Sequence, residues 1–383
     1  MRAVLFCALA AGAVLAAAQP PRPLRRVSDS IIQVGLASRV ARVSMTLLGD
    51  FQAADMTTGE KHPLEKGRAY EIRSDAAGGI LFGSIPVSGA VRLLPGSPGD
   101  TVALGERRYG GNILIKPGEG GTVTVVGELG IEEYLYGVLA KEMSPDWPIE
   151  ALKAQAVVAR TWALNNLGKY SELGYDLSDD ERSQIYSGLG DSSPRVRRAV
   201  EETAGEVLRW RGKPLRAYFH SCCGGRTASP SLWGEDSPKP LRGIHDPHCK
   251  DSPHYKWSAY FSRSDIIAAL LSHGVSAGSL DSIRPGPRDA SGRLKTFRIR
   301  ANGKTIGVAA KDLRAWLGPS DMQSAQIWRI IRHKKGFEFV GRGYGHGVGL
   351  CQWGARAQAE AGRGYRKILA FYFPGASLLQ REE

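Results

Sequence analysis

Residues 131–167 read IEEYLYGVLAKEMSPDWPIEALKAQAVVARTWALNNL. The stretch opens with a short amphipathic turn, passes a lone acidic residue, Glu142, and breaks at Ser144, Pro145 and Asp146. It then enters the longest unbroken helical pattern of the chain. Pro148 falls in what would be the first turn of that helix, where a missing N–H costs nothing. Asp146 is placed to cap the turn or complement its dipole, and Gly168 suits a left-handed C-terminal cap. Ile149, Leu152, Ala156, Val157, Val158, Ala159, Trp162 and Ala163 make the helix apolar almost all round, which predicts burial. The polar residues Glu150, Lys153 and Arg160 fall on one narrow stripe, Lys153 and Arg160 being two turns apart. A buried helix that carries an arginine and is introduced by a single carboxylate is a frame for an active site. The rest of the chain must then supply a cleft against it.

On the N-terminal side, residues 30–127 change character to short alternating apolar runs such as IIQVGLA, YEIR, GNILIKP and TVTVVGEL, punctuated by Gly and Pro. That is a β-rich pattern. It holds no cluster of His, Cys or carboxylates and reads as a scaffold or docking region. On the C-terminal side, residues 168–194 are polar and irregular, a loop or lid of modest order. A helix starts at Ser193-Pro194, and residues 220–257 form a loop-rich stretch with three cysteines and four histidines. Short strands and helices alternate to the end, so the fold class is α+β, with boundaries expected at 128 and 261.

The 383 residues suffice for two or three domains. At the N-terminus, Arg2 precedes sixteen consecutive apolar or small residues from Ala3 to Ala18, which reads as a signal peptide over 1–18. This run is short and weakly apolar for a membrane span, so the mature chain is expected to be exported to the periplasm or cell envelope with no membrane span. Residues 19–29 form a Pro- and Arg-rich linker. The net charge of +13 is carried by scattered Lys and Arg rather than by one dense basic face. That pattern argues against nucleic acid and for an anionic polymer of the envelope as partner.

Three constellations carry chemistry. Glu142, flanked by Leu139, Met143 and Trp147, has apolar neighbours that would keep a carboxylic acid protonated near neutral pH, as a general acid requires. By spacing alone a single Glu before a helix is more often an exposed or capping residue. The run Gly343-Tyr344-Gly345-His346-Gly347-Val348-Gly349 has glycine at every second position, which lets backbone approach a ligand or another strand closely. His346 is thereby placed to face a cleft or to serve as a hydrogen-bonded structural histidine. Finally, His220, Cys223, His248 and Cys249 have metal-ligand spacing, and adjacent Cys222 and Cys223 cannot easily both hold one ion. A structural zinc and a Cys223–Cys249 disulfide, closing a loop worth about 3 kcal/mol, are both compatible with that pattern. Cys351, five residues after His346, lacks any cysteine-protease signature and reads as a small buried cysteine.

Three separated blocks, EYLYGVLAKEMSPDWPIEALKAQAVVARTWAL, AYFHSCCGGRTASPSLWGED and GRGYGHGVGLCQWGARAQAEAG with YRKILAFYFPGA, resemble the stage II sporulation protein D / amidase enhancer (SpoIID/LytB) family, in that family's order. The resemblance covers about 128–383. It implies a SpoIID-like mixed α/β catalytic core with a central cleft, its first part over 128–260 and its C-terminal part, with the Gly-rich strip, over 261–383. It also implies an exported lytic transglycosylase acting on peptidoglycan glycan strands and needing no cofactor beyond an optional structural zinc. Under it, Glu142 is the catalytic acid and Arg160 the motif arginine, which positions the substrate or holds a charge network. Lys153, on the helix stripe, is taken as a substrate-binding residue. Tyr344, His346 and Gln352 would line the substrate cleft. The family also contains amidase enhancers, which makes a cell-wall amidase an alternative partner and a non-catalytic, wall-binding module the alternative function.

Overall fold

The computed structural model describes residues 27–75, 77–188 and 193–379. The expected signal peptide and most of the linker lie outside the described residues. Among them, no helix is long and apolar enough to cross a membrane.

The β-rich region is built from two sheets. The larger has seven strands in the spatial order Leu177–Ser178, Ile31–Val40, Thr122–Gly130, Asn112–Gly118, Val91–Pro95, Phe51–Asp55 and Lys61–Leu64. Its first and last long strands pair antiparallel, Ile32 opposite Leu129 and Val34 opposite Gly127, so the region closes on itself before the helices begin. A six-stranded sheet packs against it. Alternating residues such as Ile32, Val34, Met45, Leu47, Ile72, Phe82, Ile113 and Val125 point inward and are fully buried, the period-2 pattern of strands with one face on a core.

The strand Thr122–Gly130 runs straight into helix α1 (Ile131–Glu142). Where the sequence suggested a short turn, α1 has twelve residues, because nothing breaks it before Ser144. Gly137 inside it is required by packing: a Cβ there would lie 2.5 Å from the Tyr186 ring and the Gly188 carbonyl oxygen. Ile131, Tyr134, Leu135, Val138 and Leu139 bury into the core of the β region, so the β region and helix α1 share one core. Helix α2 (Ile149–Asn165) is buried along most of its length, as its sequence predicts. Its cap differs from expectation: Pro148 is itself the N-cap, and Asp146, exposed, makes no side-chain cap. Helix α3 (Pro194–Glu201), capped by the Ser193 hydroxyl, packs across α1 and α2.

Residues 257–341 form a unit with its own core of Trp257, Ile266, Leu270, Phe297, Ile299, Leu313, Phe337 and Phe339. Two three-stranded sheets and the helices α4 (Arg263–Ser272) and α5 (Ala310–Leu317) enclose it. The chain then returns: Val348, Leu350, Ala355, Ile368 and Phe373 join Leu152, Val157 and Val158 of α2 in a second core. That return contributes α6 (Gln352–Glu360) and α7 (Tyr365–Tyr372). The 261–383 segment therefore divides, its first part an inserted unit and its last part a wall around α2.

Candidate active site

The inserted unit and the helical core face each other across a cleft of about 480 Å³, within the range of small-ligand sites. Glu142, the last residue of α1, and Trp162 of α2 form one wall with Ser183, Gln184 and Ile185. Tyr218 and Phe219 meet Tyr344, Gly345 and His346 of the Gly-rich strip on the second, and Arg314 of α5 closes it from the insert. The loop after Glu142 is pinned, since the Arg195 guanidinium donates to the carbonyls of Pro145 (2.9 Å) and Trp147 (2.9 Å).

Burial pushes the Glu142 carboxyl up from an ordinary 4.5 to about 7, the Gln352 amide beside it works against that rise, and the nearby Glu181 charge adds to it. A position at the negative end of the α1 dipole acts in the same direction. Glu142 is therefore a carboxylic acid for about half of the time at neutral pH, and can give a proton and take one back.

The Gly-rich strip is stitched to the segment before the cysteines. Tyr344 N–H donates to the Cys222 carbonyl and Cys222 N–H to the Tyr344 carbonyl, while Leu350–Cys351 pairs in parallel with Phe219–His220. The alternating glycines follow from this proximity. Gly347 and Gly349 have φ of +87° and +77°, and a Cβ would meet the Arg293 guanidinium at 2.2 Å and the Tyr218 carbonyl oxygen at 2.0 Å, respectively. His346 Nδ1 accepts from Val348 N–H (3.1 Å), which places the proton of the neutral ring on Nε2. Burial, with the Arg293 charge nearby, pulls His346 down to about 4, so it stays neutral where Glu142 titrates.

Gln352, at the start of α6, is buried beside Glu142 rather than in the lining of the cleft. Two expected residues lie elsewhere. Arg160 is fully buried and does not line the cleft. Its Nε and Nη2 bond the Glu132 carboxylate at 3.0 and 2.6 Å, and it also donates to the carbonyls of Glu206 (3.0 Å) and Val200 (3.3 Å). The geometry corresponds to the charge network at the helix rather than to substrate positioning. Lys153 is also away from the cleft, between Glu150 (2.9 Å) and Glu202 (2.6 Å). Both face α3 and its surroundings, because the polar stripe of α2 points there.

The cysteine and histidine loop differs from its expected arrangement. The four described cysteines are free and buried, and Cys223 Sγ lies 3.4 Å from Cys249 Sγ, a contact between thiols rather than the disulfide that was one of the two alternatives. His220 Nδ1 bonds the Val348 carbonyl (3.1 Å) while its Nε2 is buried without a partner, and His248 packs its ring edge-on against Phe371; neither imidazole is among the ligand atoms that gather at the thiols. Asp246 and Cys351 take their places: one ligand atom from each of Cys223, Asp246, Cys249 and Cys351 lies within 4.8 Å of the others.

Residues 177–188, in the stretch expected as a loop or lid, form one wall of the cleft. Leu177–Ser178 extends the large sheet, Tyr186 is buried against Tyr134, and Tyr134 Oη donates to Gln184 (3.2 Å). This wall brings Glu181 and Gln184 to the cleft, two residues that no motif marked. Arg314 was equally silent. It donates to the carbonyls of Gln323 (3.2 Å) and Pro319 (3.3 Å) and, among the described residues, has no carboxylate at ion-pair distance.

A family model described as "Stage II sporulation protein" matches residues 119–210, and one described as a domain of unknown function matches residues 239–349. An uncharacterized protein of Brachyspira hyodysenteriae is 35% identical over 282 residues, covering 73% of this chain and 74% of the relative. The amidase enhancer of Bacillus subtilis is 30% identical over 289 residues, with 64% of this chain and only 40% of the enhancer covered. The stage II sporulation protein D of the same organism is 27% identical over 271 residues, with coverages of 66% and 75%. The first model spans α1, Glu142 and α2, the elements on which the cleft is built, and on these matches the chain belongs to the stage II sporulation protein D / amidase enhancer (SpoIID/LytB) family.

Proposed function

We propose that this chain is an exported lytic transglycosylase of the cell envelope that cleaves peptidoglycan glycan strands between N-acetylmuramic acid and N-acetylglucosamine. The observation that carries the reading is the Glu142 carboxyl, raised to about 7 by burial at the side of an open cleft of about 480 Å³. As the bond from the muramoyl C1 to the bridging oxygen breaks, Glu142 gives its proton to that oxygen and positive charge develops at C1. The muramoyl C6 hydroxyl then closes on C1 and yields its proton to the Glu142 carboxylate. The acid is regenerated, no water is consumed, and a 1,6-anhydro end is left. The sugar supplies its own nucleophile, so a second carboxylate need not form a bond, and Glu181 acts here by holding Glu142 protonated.

The other groups of the cleft have roles that fit a glycan. Trp162, Tyr218, Phe219 and Tyr344 offer faces for sugar rings. Neutral His346 offers hydrogen bonds without competing for the catalytic proton, and Gln352 holds Glu142 from behind. Arg314, a cation without a carboxylate partner, suits the lactyl carboxylate that N-acetylmuramic acid exposes where no stem peptide is attached.

A second reading has one observation behind it, the similarity to the amidase enhancer: a wall-bound module that stimulates a cell-wall amidase without cleaving glycan. Digestion of purified sacculi by the chain alone separates the two. Transglycosylation releases fragments with anhydro ends, whereas the enhancer reading predicts none until an amidase is added.

A further inference from the structure

A second cavity, of about 250 Å³, lies outside the cleft and is lined by His248, Asp251, Ser252, Trp353, Arg356 and Glu360. Both of its walls are built on elements that lead to the active site. One is helix α6, which begins at Gln352 beside Glu142. The other is the 248–252 turn: Ser252 Oγ accepts from His254 N–H (3.1 Å), and the His254 ring packs on Tyr344 of the cleft with centroids 4.8 Å apart. Trp147, on the loop after Glu142, stands edge to face against Trp353, ring centroids 5.1 Å apart. The cavity is about half the size of the cleft, room for one sugar ring rather than a chain.

The lining is held in place and selects by charge. The Arg356 guanidinium lies over both indoles, 4.9 Å from the Trp353 ring centroid and 5.3 Å from that of Trp147, and its Nε donates to the Glu360 carboxylate (2.7 Å). The Trp353 indole is therefore fixed before any ligand arrives, which lowers the ordering cost of binding. Arg356 and Glu360 cancel each other, which leaves the charge of Asp251. That carboxylate is exposed and has no hydrogen-bond or ion-pair partner among the described residues. His248, expected as a metal ligand, borders this cavity instead. Surplus negative charge and free acceptors suit the hydroxyl groups of a neutral sugar and repel a carboxylate, while an indole suits the apolar face of the ring. The cleft, with Arg314, has the opposite bias.

We propose, resting on the glycan reading of the cleft, that this cavity is a second saccharide subsite, which takes a neutral N-acetylglucosamine residue of a glycan strand. Trp353 backs the sugar ring, and Asp251 and Glu360 accept from its hydroxyls. Arg314 draws the carboxylate-bearing sugar into the cleft, whereas this subsite refuses it, so the two sites distinguish the two alternating sugars of the strand. None of the residues lining the cavity lines the cleft. The subsite therefore adds binding that substrate and transition state share, which lowers KM without raising kcat.

The test is titration of the full-length protein, carrying Glu142→Gln to prevent turnover, with the N-acetylglucosamine trimer, followed by the indole N–H signals in NMR spectra. Trp162 reports the cleft and Trp353 the second cavity, their signals assigned by Trp162→Phe and Trp353→Phe. The Trp353 signal should shift at about millimolar sugar. Adding Asp251→Ala, a change on an exposed turn, should weaken that titration about 10-fold and leave the Trp162 titration where it was. As single sugars, N-acetylmuramic acid should be needed at about 10-fold or more the concentration of N-acetylglucosamine to move Trp353. The proposal is overturned if Trp353 stays still while Trp162 shifts, a result that leaves the cleft reading intact. It is also overturned if both signals follow one curve with and without Asp251→Ala, which marks a relay from the cleft, or if the two single sugars move Trp353 equally. Failure of the cleft reading looks different: Trp162 then stays still whatever Trp353 does.

Discussion

Changing pH across the neutral range perturbs the Glu142 proton directly, and the size of the effect follows from its environment. With the carboxyl at about 7, the protonated fraction falls from about nine-tenths at pH 6 to about one-tenth at pH 8. An ordinary glutamic acid at 4.5 would be protonated in only about 0.3% of molecules at pH 7, so burial raises the competent population about 150-fold. The value of kcat/KM reports the free enzyme, and it should drop about 10-fold from pH 6 to pH 8, with its midpoint near 7. His346, near 4 and neutral throughout, contributes nothing to this limb. The assay is the initial rate of soluble fragment release from sacculi at constant ionic strength, read by chromatography because anhydro ends are not reducing. Glu181→Gln removes a like charge and should move the midpoint down. A wild-type midpoint near 4.5, or a Glu181→Gln profile that stays put or moves up, would refute the assignment of the buried acid.

Other outcomes follow from the same contacts. A carboxyl raised from 4.5 in the unfolded chain to about 7 in the fold holds extra protons between those values, so stability falls as pH rises through that window and stays lower above it. Glu142→Gln should therefore stabilise the fold above pH 7, by roughly 2 kcal/mol after allowance for the open side of the cleft, and urea unfolding at pH 5 and pH 8 will show whether only the wild type loses stability. Arg160→Ala leaves Glu132 unpaired in a buried network and should cost about 3–5 kcal/mol in denaturant unfolding. Arg160→Lys should not restore it, since one ammonium cannot make the two-pronged contact. Arg314→Ala should raise KM about 10-fold on strands stripped of stem peptides and less on peptide-bearing strands, the worth of one hydrogen bond to a charged group; equal losses on both would remove the lactyl carboxylate as its ligand.

What could be read in the sequence was what depends on near neighbours along the chain. The apolar pattern of α2 announced a buried helix, alternation announced the β region, and glycine at every second position announced the close backbone contacts that Gly347 and Gly349 make. What escaped depends on segments meeting from a distance. Arg160 finds Glu132 28 residues away, an encounter that helix periodicity within α2 cannot contain. The metal-like spacings drew attention to His220 and His248 because they sit beside cysteines in sequence. Yet Cys351, 128 residues from Cys223, occupies the position instead, and Asp246 sits in a loop with no periodic signature. Glu181, Gln184 and Arg314 reach the cleft only because residues 177–188 pack against the large sheet and α5 belongs to an inserted unit.

The most direct test of the central claim is product analysis of denuded and intact sacculi digested by the wild-type chain and by Glu142→Gln, with no amidase present. The account predicts 1,6-anhydro-muramoyl ends from the wild type, no new reducing ends, and at least about a 100-fold loss of both soluble fragments and anhydro ends in the variant. Equal digestion by Glu142→Gln, or fragments ending in reducing muramic acid, would contradict it.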